Sequence, residues 1–93
     1  MIINMKIKVQ NLIIEECDKI KNLLLEKNRK YGNSALEPLR IFSKVSTIEQ
    51  LFVRIDDKLS RLKNQQIDDR EDSISDLLGY LILLKIAQRI KYD

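Results

Sequence analysis

Apolar residues recur along the chain at spacings of three and four, in three separate blocks. In the first, Ile13, Cys17, Ile20 and Leu24 mark one face of a helix over about residues 10–29, widened by Leu12, Leu23 and Leu25. Gly32, just beyond Lys30 and Tyr31, suits a left-handed stop. In the second block, Ile48, Leu51, Phe52, Ile55, Leu59 and Leu62 give the buried stripe of a helix ending near Gln65. Ser46-Thr47-Ile48-Glu49 opens it as a capping box. The third block runs from Ile74 through Leu77, Leu78 and Leu81 to Ile90, with Asp68 or Asp69 as the expected N-cap. Glu71 and Asp72 then suit the positive end of its dipole. Ahead of the first helix, Ile3, Met5, Ile7 and Val9 alternate with Asn4, Lys6 and Lys8, so residues 1–9 can form a short strand or an extended arm.

Two features depart from a simple helical repeat. Residues 32–45 are punctuated by Asn33-Ser34 and Pro38, with Leu39–Phe42 able to form a single helical turn. A connector of that length is unusual in a small domain and is often functional. From Leu77 to Ala87 the third helix is apolar nearly all round, which two other helices can hardly cover. We therefore expect self-association through this helix, most simply a homodimer with a shared helical core. The alternative is a central helix in a monomeric bundle.

Composition narrows the class. The 93 residues make one domain, 1–93, and with 2 Gly and 1 Pro they lack the turn formers of a β-sandwich or barrel. The expected architecture is all-α, a bundle of three main helices. One cysteine excludes an intramolecular disulfide, and no histidine excludes a Cys₂His₂ zinc site and a Ser-His-Asp triad. Cys17 falls on the helical stripe, where a core position is the simpler reading than a nucleophile. The longest apolar run, Leu81–Leu84, is far below the roughly 20 residues of a membrane span. A cytoplasmic protein without a membrane partner is expected, the lone cysteine fitting a reducing interior.

The net charge of +3, from 17 basic and 14 acidic residues, says less than the placement of the charges. Arg54, Asp57, Lys58 and Arg61 share one face of the second helix. They can clamp a phosphate or carboxylate, or simply pair along the helix. Asp72, Asp76 and Tyr80 share one face of the third. Asp76 lies where the apolar stretch begins, so it needs a cation from the second helix or a metal ion. Asp72 and Asp76, one turn apart, could hold Mg²⁺ with Glu16 as a further ligand. For Glu15 and Glu16 an exposed acidic face is the simpler reading than further metal ligands. Sequence-specific nucleic-acid binding is not expected, because Asp57 interrupts the basic stripe and no helix-turn-helix spacing is present.

Three segments together resemble a known family: Lys30-Tyr31-Gly32-Asn33-Ser34, the run Arg54-Ile55-Asp56-Asp57-Lys58-Leu59-Ser60-Arg61-Leu62-Lys63-Asn64, and Glu71-Asp72-Ser73 with Asp76-Leu77 and Tyr80. In order and spacing they resemble the nucleotide modification associated domain 1 family, small helical proteins common in phages and prophages. Gly79 stands where that family often has Asn. The resemblance implies a role near nucleotide metabolism, in the cytoplasm of an infected or lysogenic host cell. The layout is also similar to MazG-like all-α nucleotide pyrophosphohydrolases, which place Mg²⁺ on carboxylates from facing helices. Their first-helix acidic pattern is half matched, since Glu15-Glu16 is followed by Lys19 and Ile20.

The expected function is therefore a phage-type protein that binds a phosphorylated nucleotide without turnover and sequesters a host defence signal. Lys30, Tyr31, Asn33, Arg54, Lys58, Arg61, Asp72, Asp76 and Tyr80 are its candidate contacts, and no cofactor is required. The alternatives are a Mg²⁺-dependent pyrophosphohydrolase using Asp72, Asp76 and Glu16, and a helical interaction module without a ligand. No catalytic residue is assigned.

Overall fold

The chain is an all-α bundle of three helices, seen in a computed structural model that describes residues 2–64 and 70–90. Helix α1 spans Ile2–Tyr31, α2 spans Thr47–Asn64 and α3 spans Arg70–Arg89. The five residues that join α2 to α3, including the expected caps Asp68 and Asp69, lie outside the described residues.

The first correction concerns the N-terminus. Residues expected to be extended are helical, and α1 is one continuous helix of 30 residues, about 45 Å long. The alternation of Ile7 and Val9 also fits a helical period: Met5, Val9 and Leu12 extend the stripe onto Ile13, with no Gly or Pro between. A lone strand would have left its backbone groups unpaired. The other end behaves as expected. Gly32 has φ +62, the left-handed conformation that ends a helix.

The expected capping serine is in place. Ser46 Oγ accepts from the Glu49 amide at 3.1 Å, and its carbonyl accepts from the Gln50 amide at 2.9 Å. At the far end of α2, Asn64 Nδ2 donates to the Ser60 carbonyl at 3.0 Å, satisfying one of the last-turn carbonyls. The connector contains no helical turn at Leu39–Phe42; it bends there, and Phe42 is 97% exposed. It is held instead by a buried hydroxyl that the periodicity did not flag. Thr47 Oγ1 donates to the Leu36 carbonyl at 3.0 Å and accepts from Arg40 Nη2 at 2.7 Å.

Helix α3 is the centre of the bundle. It packs along α2, and the short link between them makes the pair an antiparallel hairpin. Only the C-terminal part of α1 reaches α3. Lys27 meets Asp76 and Leu24 meets Gly79, so three residues forward on α1 match three back on α3, an antiparallel crossing. The core is small: Leu51 is 2% exposed, and among the described residues Ile20 and Ala87 are the other buried large or aliphatic side chains. Of the expected α2 stripe, Ile48, Ile55 and Leu62 are half-buried, whereas Phe52 and Leu59 stay exposed. Cys17 is exposed rather than core, because α3 does not cover that part of the stripe. The radius of gyration is 16.0 Å, against about 12 Å for a compact domain of this length.

Candidate functional site

Where α1 ends against α3, the chain makes a pocket of about 160 Å³. Its position follows from local chemistry. The reversal at Gly32 turns the chain out of α1, and the Asn33 carbonyl accepts from the Leu36 and Glu37 amides at 2.9 and 2.7 Å, winding the next turn. The Asn28 amide, one turn back on α1, donates to the Gly32 carbonyl at 3.2 Å and to Asn33 Oδ1 at 2.8 Å. Tyr31, Asn33 and Ser34 are thereby fixed at one wall. Ser75, Asp76, Gly79 and Tyr80 of α3 form the other, with Leu24 beneath.

Gly79 allows this closeness. A Cβ there would lie 3.2 Å from Leu24 Cδ2, tighter than ordinary contact, so the Leu24 side chain would have to give by a few tenths of an ångström.

Asp76 answers the electrostatic question its position posed. One carboxylate oxygen is 3.2 Å from Lys58 Nζ of α2, and the other is 3.8 Å from Lys27 Nζ of α1. The Lys58 side chain is 13% exposed, so this contact is shielded from water. One carboxylate between two ammonium groups ties all three helices together and leaves a net positive charge at the pocket wall.

Of the residues singled out by sequence, Tyr31, Asn33, Asp76 and Tyr80 line the pocket, and Lys58 joins them through Asp76. Lys30 is exposed beside Tyr31 and is not part of the lining. Arg54, Arg61 and Asp72 are exposed and also lie outside the lining. The basic stripe of α2 is divided: Arg61 Nε pairs with Asp57 at 3.3 Å along the helix, while Lys58 turns to α3. Lys27 was missed. Asn28 had a readable signal, since a side-chain amide four residues before a helix-ending glycine can reach its carbonyl.

The metal set does not assemble within this chain. Glu16 pairs with Lys19 at 3.3 Å on the exposed part of α1. It is eleven residues before Lys27, the α1 partner of Asp76, about 16 Å along the helix axis. Among the described residues, no three carboxylates or thiols are grouped closely enough to hold a metal ion. Among them, too, no helix is long and apolar enough to cross a membrane. No protein-family model, curated protein or solved structure matches the chain.

Proposed function

We propose that the protein binds a nucleotide in the pocket between α1 and α3 and holds it without hydrolysis. The reading is carried by one juxtaposition. Two tyrosines, Tyr31 and Tyr80, share a pocket with the Asn28 and Asn33 amides, beside a lysine–aspartate–lysine group of net positive charge. Aromatic faces stack on bases, side-chain amides match the donor and acceptor pattern of a base edge, and excess positive charge suits a phosphate. Lys27 and Lys58, with Lys30 at the rim, would face the phosphates. Arg54 and Arg61 would contribute only long-range attraction, and Asp72 would stay outside the contact. Binding without turnover accords with Asp76 being engaged by two lysines. Sequestration of a host nucleotide signal by a phage-type protein is the corresponding biological role, and self-association, expected from the apolar circumference of α3, belongs to the same reading.

Calorimetric titration with mono-, di-, tri- and cyclic nucleotides tests this. At least one class should bind, with Tyr80→Ala and Lys27→Ala each weakening it at least tenfold and Arg61→Ala by less than threefold. Intact nucleotide should be recovered after denaturation of the complex. Failure of every nucleotide to bind, or equal sensitivity to Arg61→Ala and Lys27→Ala, would overturn it.

A further inference from the structure

The pocket cannot enclose a nucleotide by itself. Its volume is about 160 Å³, whereas sites that bury most of a small molecule run to roughly 300–1,000 Å³. A nucleotide seated beside Tyr31 and Tyr80 would therefore protrude from the mouth. The walls come from α1, from the turn at residues 32–36 and from α3, and the lining stops at Leu36. Residues 37–46, which follow directly, contribute nothing to it.

Those residues are built like a flap on a short hinge. Both ends are tied at one point. The Thr47 hydroxyl donates to the Leu36 carbonyl at 3.0 Å, and Arg40 Nη2 donates to the same hydroxyl oxygen at 2.7 Å. Thr47 is buried, so the tie is anchored in the bundle. Leu36 is itself a pocket residue, so the flap hangs at the pocket rim. Around and past the tie, side chains suited to an interior face water: Leu39 is 85%, Ile41 70% and Phe42 97% exposed. Ser43 Oγ accepts from the Val45 amide at 3.2 Å, a contact inside the flap that would travel with it. A side chain as exposed as Phe42 packs on nothing, so moving it breaks no buried contact. Covering it would gain apolar burial that the open position forgoes. Six residues span at most about 20 Å, which lets Phe42 reach the mouth from the fixed Leu36.

We infer that residues 41–45 close over the occupied pocket, with Phe42 laid on the nucleotide base and the Leu36–Thr47 tie as the hinge. Phe42 becomes a third aromatic contact and governs how fast the ligand leaves. This rests on the nucleotide reading of the pocket and goes beyond it, because retention then depends on the connector as well as on α1 and α3.

The chain has no tryptophan, so Phe42→Trp places a single fluorescent reporter on the flap. On addition of a nucleotide that the native chain binds, its emission should move to shorter wavelength and become shielded from acrylamide. Val53→Trp, at an exposed position of α2, should show neither change. Phe42→Ala should weaken binding about tenfold, as for the loss of one base stack, and almost all of it through faster release in stopped flow. Its circular dichroism should match the native chain, since the side chain supports no packing. Native affinity and release in Phe42→Ala, or a Phe42→Trp emission that the ligand does not move, would overturn the flap and leave the pocket reading standing. An emission already at short wavelength without ligand, and lengthening on dilution, would show a second copy covering the loop and would also overturn it. Failure of every nucleotide to bind the native chain would overturn the flap and the pocket reading together.

Discussion

The two halves of α1 carry the same kind of sequence and lead different lives. Residues 20–31 lie against α3, contribute Ile20 to the core and end in the turn that shapes the pocket. Residues 4–19 repeat the apolar spacing and touch nothing that would bury it. The difference is not propensity or pattern. It is the crossing: on the register of Leu24 with Gly79 and Lys27 with Asp76, α3 extends level with Ile14, yet α1 meets it only toward its own C-terminal end, and residues 4–19 overhang. A stripe at helical spacing shows which face is prepared for burial, and the course of the neighbouring element decides how much of it is buried within one chain.

Four substitutions and one reference variant sharpen that contrast. Ile20→Ala should cost about 2–4 kcal/mol in chemical denaturation, because it empties a buried site where α1 meets α3. The matching change on the overhang, Ile13→Ala, should cost under about 0.5 kcal/mol in dilute solution. Equal costs in dilute solution would show that the two halves are not distinct. Asp76→Asn should come next, at about 1–2 kcal/mol, since it strips a shielded Lys58 of its counter-ion and loosens α1 from α3 at Lys27. The same denaturation curves check it, with Asp57→Asn, which removes only an exposed pair with Arg61, as the near-neutral reference. Gly32→Ala should cost less than Asp76→Asn, about 1 kcal/mol. Nothing lies near a new Cβ there, so the cost is left-handed backbone alone.

The three helices were legible because their stripes are long and their stops are chemically marked, by Ser46 ahead of Thr47 and by Gly32 after Tyr31. The first nine residues were not, because a short run such as Met5, Ile7, Val9 satisfies periods of two and of 3.6 alike. The pocket was half legible. Tyr31, Asn33, Asp76 and Tyr80 stood out as residue types, but only the antiparallel crossing of α1 and α3 brings them together. Lys27 escaped notice because a lysine on an exposed helix is ordinary until Asp76 is found opposite. The α2 stripe looked like a single clamp because helical spacing gives a common face, whereas Lys58 alone is near enough to α3 to turn inward.

The placement of Thr47 bears on the order in which the molecule assembles. The α2–α3 hairpin is local in sequence, so its pairing closes a short loop and can form first. Helix α1 must close a much longer one, and its end is tied to the start of α2 by the hydroxyl contact from Thr47 to Leu36. Amide exchange should therefore separate the chain into cooperative units: a slow hairpin, the α1 end from Ile20 to Tyr31 with the turn at Leu36 opening as a second unit, and the overhang fastest of all. Filling the pocket should slow the second unit first, which would make the ligand a brace on the last part of the chain to fold.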